Sequence, residues 1–479
     1  MPERYIVALE IGSSKIRGAV AVADEAGMVD VIAVEEEKLI DSVRYGCIQN
    51  VDVSNAISRV CERLESYPRL KDATITGAYV GIGGKSLSSK IVEVSTTLPA
   101  EMEITSQLVA DLKTKAEGLI DDTRDVIDVV PVRFTVDNKT QNNPVGSYGQ
   151  QLGARMAAVS CVPQIKRMLR RVLIERLDID INGYIVRPLA EAAMALTDDE
   201  RRLGCMFVDF GAETTTVAIY KNGAPVYLVT IPIGSRNITI DLTSLNYIEE
   251  RAEEIKRISG NAMPQEGIRK PGADGIDYSE VNNYVHARAA EIIQNIVAQI
   301  EYAGLKAADL PGGIVIVGGG ARLRGFNDLL GKQSKMKVRM GSVQGPVRIS
   351  DGAIHPAETL DAISLLLAAS KLPDAVCVEF PLVEEEIKAR RDGSYEGMYG
   401  YGADDEDEGE SRIGRGYDDD DDSARKKKEK NGKRKKKNED YDDGDEPTDT
   451  GNHTPNIFGS LKDRLSRVFL GGDGDDSFK

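Results

Sequence analysis

A chain of 479 residues that is 41% hydrophobic can build more than one buried core and is too long for a single compact one. Its net charge of -17 excludes a general nucleic-acid binder, because an acidic surface repels a polyanion. Five scattered cysteines share no CxxC spacing and the three histidines form no metal-ligand pair, which predicts reduced thiols in a cytoplasmic protein and argues against a disulfide framework or zinc site.

The N-terminal "MPERYIVALEIG" enters a strand pattern directly, with no signal peptide, and "RGAVAVA" follows as a second strand. "VSNAISRVCERLESY" has helical spacing. Further on, "CMFVDF" and "GGIVIVG" read as buried strands, and "VHARAAEIIQNIVAQIEYAGL" between them as a long helix. Residues 1 to about 380 are therefore expected to be mixed α/β. No run reaches the roughly 18 apolar residues that cross a bilayer.

Beyond Pro381 the composition changes. Between Asp404 and Asp449 there are 12 Lys/Arg and 19 Asp/Glu, with almost no aliphatic residues, so this stretch is expected to be a disordered linker. Its basic block 425–437, "RKKKEKNGKRKKK", reads either as half of a self-neutralising polyampholyte or as a docking patch for anionic lipid. The chain then turns amphipathic at "NIFGSLKDRLSRVFLGG". On a helix over 456–470, Ile457, Phe458, Leu461, Leu465, Val468 and Phe469 share one face, while Lys462, Arg464 and Arg467 lie outside it. Asn456 can cap the start, and Gly471 and Gly472 end it. A large apolar face with basic flanks describes a helix lying in the plane of an anionic membrane surface. The alternatives are packing on the chain's own globular core, which a long linker disfavours, and packing on a protein partner.

The strongest internal signal is a repeat. "YIVALEIGSSKIRGAV" and "MFVDFGAETTTVAIY" each carry an apolar strand, an acid, one spacer, a glycine, small polar residues and a second strand. Glu10 aligns with Asp209 and Gly12 with Gly211, an offset of 199 residues, which suggests two domains related by duplication. Tight glycine turns allow backbone N–H groups to converge on an anion. The candidate phosphate contacts are Gly12, Ser13, Ser14 and Lys15 in the first turn, and Gly211, Ala212 and Thr214 in the second. A carboxylate does not bind phosphate directly, but Glu10 and Asp209 could hold a hydrated Mg²⁺ that does.

A third element is "GGIVIVGGGARLRG", an apolar strand running into three glycines and then a helix start. Backbone without side chains lets a flat purine or ribose lie against Gly318, Gly319 and Gly320, with Arg322 following. The pattern is not GxGxxG, so a dinucleotide fold is not expected; a plain strand-to-helix turn is the alternative.

Acid–x–Gly hairpin, second acid–x–Gly hairpin, then strand–GGG resembles the actin-like ATPase superfamily, with its two-domain fold of duplicated RNase H-like domains. "VALEIGSSKI", "PLAEAAMALTDDERRLGCMFVDFG", "AEEIKRISG" and "GGIVIVGGGARLRGF" together resemble the bacterial cell-division family FtsA. This resemblance covers about residues 4 to 375. It implies ATP and Mg²⁺ as cofactors, with Glu253 and Lys256 reaching the adenosine ribose. It also implies a subdomain 1C in place of the usual 1B. Subdomain 1A would be 1–82 and 163–187, 1C 83–162, 2A 188–240 and 311–380, and 2B 241–310, followed by the linker 381–455 and the helix 456–470. The implied activity is polymerisation on the cytoplasmic side of the cell membrane at the division septum. There 2B would receive the C-terminal peptide of FtsZ, and 1C would contact later division proteins.

Two departures from the family pattern stand out. Ala212 and Glu213 replace glycines in the second turn; Glu213 either faces solvent or weakens ATP affinity. Before Pro188 stands Arg187, where hydrolytic relatives carry Glu or Gln to orient water. An arginine cannot accept a proton from water, so ATP binding with slow or no hydrolysis is expected. The rival readings are a small-molecule kinase, for which no substrate-facing acid motif is found, and a pilus-assembly actin homologue.

Overall fold

The computed structural model describes residues 3–264, 274–352 and 354–381. The expected linker beyond Pro381 and the expected amphipathic helix 456–470, with every residue expected to bind membrane, lie outside them.

The two hairpins seed two sheets. In the first, the strand order is Asp180–Val186, Gly77–Ile82, Arg4–Ile11, Lys15–Ala23, Val29–Lys38 and Val347–Ile349. The second contains the run Val338–Met340, Ile314–Val317, Cys205–Phe210, Thr215–Lys221, Ala224–Ile231. Each sheet has an antiparallel hairpin beside one parallel neighbour. Glu10 pairs with Gly81 across the parallel edge of its strand, and Asp209 pairs with Val317 across its own. The repeat read in the hairpins therefore extends over five strands in the same order.

The central strands of the second sheet, Cys205–Phe210, Thr215–Lys221 and Ile314–Val317, are buried on both faces, and their period-2 alternation assigns each residue to a core. Met206, Val208 and Phe210 join Val217, Ile219, Ile314 and Ile316 against the long helix Tyr278–Tyr302 and its neighbours. Cys205, Phe207, Ala218, Tyr220, Val315 and Val317 face the other way, into the core of the first sheet. That core also takes the helix Leu360–Ala369, which is apolar nearly all round and almost wholly buried. The helix Val53–Glu65 buries Val53, Ala56, Ile57, Val60, Cys61 and Leu64, one stripe of the 3.6 period. All five cysteines are free thiols.

Strands Ser88–Glu103, Asp125–Val136 and Tyr148–Cys161, with the helix Ser106–Glu117, close over a separate small core around Leu112, Phe134 and Met156. Their sheet continues into the second one through the single pair Val229–Ser88. The expected helix start after the three glycines is one 3₁₀ turn, Gly320–Arg322, and the α-helix begins only at Phe326.

Candidate nucleotide site

The two turns are built alike. Gly12 N–H donates to the Lys15 carbonyl at 3.0 Å, and Gly211 N–H to the Thr214 carbonyl at 2.9 Å. Both acids are buried where their strands end. The second turn rests on the start of the helix Arg236–Thr243: Ser235 N–H donates to the Gly211 carbonyl and Arg236 N–H to that of Ala212. Gly234 is needed there, since a Cβ would stand 2.3 Å from the Ala212 oxygen. In the first turn Ser13 Oγ accepts from Gly46 N–H at 2.9 Å, and Lys15 pairs with Glu36 on the neighbouring strand at 2.7 Å. Ser14 lies exposed in the turn, and Thr214 is buried.

Arg187 joins the two halves. It opens the helix Arg187–Ala195, directly after the strand Asp180–Val186. Its Nη2 is 2.8 Å from Asp209 Oδ2, its Nε 3.6 Å from Glu10 Oε1, and its Nη1 2.7 Å from Glu191 Oε1. One guanidinium thus faces three buried carboxylates. Burial raises the Glu10 pKa to about 7 against the pull of Arg187. It also raises Asp209, and raises Glu191 well above the usual carboxylate range. Burial alone would lower Arg187, but Asp209, Glu191 and Glu10 hold its proton. The Oε2 atom of Glu191 is buried with no hydrogen-bond partner. Arg17, opposite Glu10 in the hairpin, pairs with Glu36 at 3.1 Å and with Asp361.

Glu213 does not face solvent. Its side chain is 5% exposed and crosses to the other half of the protein. There it accepts from Arg44 Nη1 at 2.9 Å and Tyr45 N–H at 2.6 Å, while Arg236 Nη1 donates from its own side at 3.0 Å. The solvent-facing reading is therefore corrected: three donors converge on this carboxylate, and that compensates its burial.

On the adenosine side, Lys256 Nζ donates to Glu253 at 2.6 Å, Thr239 Oγ1 at 2.9 Å and the Ser235 carbonyl at 3.1 Å. Burial lowers the Lys256 pKa despite the carboxylate beside it. The helix Glu249–Ser259 that carries both residues reaches the glycine turn through a bridge between Asn261 and Arg324. Arg322 pairs with Glu358.

The three glycines are not equivalent. Gly318 has φ +92°, and a Cβ there would lie 2.5 Å from the Phe210 carbonyl and 2.7 Å from Asp209 Oδ1. Gly320 lies against the Phe210 ring, which stacks on Phe326 with centroids 4.5 Å apart. Gly319 is exposed, and a Cβ there would meet nothing within 4 Å. Gly318→Ala is expected to cost about 2 kcal/mol or more from strain and overlap. Gly319→Leu is expected to leave stability within about 0.5 kcal/mol while lowering ATP affinity about tenfold or more. Urea melts and fluorescent-ATP titration of both variants check this; unchanged ATP affinity in Gly319→Leu would favour the plain-turn reading.

Sequence reasoning missed Gly83, Glu191 and Asp361. Gly83 follows the strand Gly77–Ile82 as Gly318 follows Ile314–Val317, so the second glycine run was readable as part of the repeat.

A duplicated run of five strands, each copy carrying an acid-bearing hairpin turn, defines an actin-like ATPase fold. The solved PilM–PilN type IV pilus biogenesis complex shares this fold with a TM-score of 0.57 over 77% of this chain and 99% of that one, at 14% identity. The chain belongs to the FtsA family of cell-division proteins. "Cell division protein FtsA" of Porphyromonas gingivalis is 33% identical over 358 residues, 71% of this chain and 74% of that protein. The FtsA of Neisseria meningitidis is 27% identical over 386 residues, 77% of this chain and 91% of that protein. The family model for cell division protein FtsA matches residues 206–360, and that for the SHS2 domain inserted in FtsA matches 84–160.

Proposed function

We infer that this chain binds ATP between its two hairpin turns, polymerises on the inner face of the cytoplasmic membrane at the division septum, and tethers FtsZ filaments there. The observation that carries the reading is the convergence of Glu10 and Asp209, from two different sheets, on one guanidinium. That convergence supports reading the two turns as parts of one nucleotide site in a chain of the FtsA family. Gly12, Ser13, Ser14, Gly211, Ala212 and Thr214 would cradle the phosphates, and Gly318, Gly319, Gly320, Glu253 and Lys256 would receive the adenosine. With Arg187 where a water-orienting acid or amide would stand, turnover is at most slow.

Residues 241–310 would receive the FtsZ C-terminal peptide, residues 83–162 would contact later division proteins, and residues 456–470 would bind anionic lipid. Among the described residues no helix is long and apolar enough to cross a membrane. Flotation of FtsZ with anionic vesicles tests the adaptor role. FtsZ is expected to float only when the full chain and ATP are present and its own C-terminal peptide is intact. FtsZ left at the bottom beside vesicle-bound chain would remove the tethering reading.

A further inference from the structure

The fold family implies a divalent cation, and Glu10 and Asp209 are the acids that would hold it through water. The residues around them do not suit one. Asp209 gives Oδ2 to Arg187, and its Oδ1 lies over Gly318. Both Glu10 carboxylate oxygens crowd Gly12, where a Cβ would stand 3.1 and 3.3 Å from them. The space between the acids is taken by the Arg187 guanidinium, which lies against Gly83, its Nη2 3.2 Å from where a Cβ there would sit. Arg187 is only 13% exposed and held from a third side by Glu191. Magnesium keeps near-ideal octahedral geometry and several waters, so it needs room that this arrangement gives to an arginine.

A guanidinium offers what the cation would: a permanent positive charge, with planar donors that match phosphate oxygens. We propose that Arg187 is a built-in replacement for the divalent cation, so that this chain binds a nucleoside triphosphate without a metal. The proposal rests on the reading of the cleft as an ATP site. Releasing Asp209 or Glu10 to a metal would require moving a nearly buried arginine away from three carboxylates.

The test is equilibrium titration of the full chain with a fluorescent ATP analogue, in excess Mg²⁺ and again in EDTA. The affinities are expected to agree within about threefold in the natural chain. In Arg187→Gln, which frees both acids, binding is expected to become at least about tenfold weaker in EDTA than in Mg²⁺. A tenfold or greater loss in EDTA for the natural chain overturns the proposal, whether or not the variant folds, and leaves the ATP reading standing. No binding in either buffer removes the ATP reading, and the proposal with it.

Discussion

Replacing Arg187 with alanine is expected to remove roughly 3–5 kcal/mol of stability at pH 7.5, the usual cost of leaving buried charges without their partner. Three carboxylates lose their common cation, and none of them has another described at comparable distance. The deficit should depend on pH, with a definite sign. Glu10 titrates near 7 in the fold, above the ordinary value of 4.5, so its folded form takes up protons more readily than the unfolded chain. Stability tied to that proton is complete below the unfolded value and is lost as pH rises through about 7. Removing Arg187 removes the charge that lowers Glu10 and Asp209, so both rise further. The gap between natural chain and variant should therefore widen from pH 5.5 to pH 8. Glu191→Gln provides the contrast: an amide oxygen still accepts from Arg187 Nη1, so the expected cost at pH 7.5 is smaller, about 1 kcal/mol. Urea denaturation of both variants across that range is the measurement. A small, pH-independent loss in Arg187→Ala would mean that the guanidinium does not balance this cluster.

Local features were legible in the sequence, and contacts between the halves were not. Glu10 with Gly12 and Asp209 with Gly211 lie within one turn each, so spacing alone indicated what they could do. The arginine opposite Glu10 could have been read as well, since a hairpin with its turn at Gly12–Lys15 puts Arg17 across from it. Arg187 stood out only as a departure before Pro188; nothing in its neighbourhood says that its side chain reaches acids on two sheets. Glu213 was misjudged for the same reason. Its partners Arg44 and Tyr45 are 169 and 168 residues away, and only the folded chain brings them to the second turn. The three glycines at 318–320 read as one motif, yet two of them serve packing on Phe210 and only Gly319 faces open space.

The second large effect concerns the end of the chain, beyond the described residues. On the helix expected over 456–470, six apolar side chains would share one face and, at roughly 1 kcal/mol each when partly buried in lipid, would give an anchor that is weak and reversible alone. A filament presents many such anchors at once, and the effective concentration of the next anchor makes attachment persistent. A linker of the length expected here would let each subunit reach lipid without setting the filament's height. Truncation after Pro455 should thus leave the globular part folded and abolish filaments on membranes.

Electron microscopy of the full chain on anionic lipid monolayers with ATP, beside the chain truncated after Pro455, tests the tethered-polymer account most directly. The account predicts filaments on lipid for the full chain and none bound to lipid for the truncated one. Dispersed single particles in both would contradict it and would move the small-molecule kinase reading ahead.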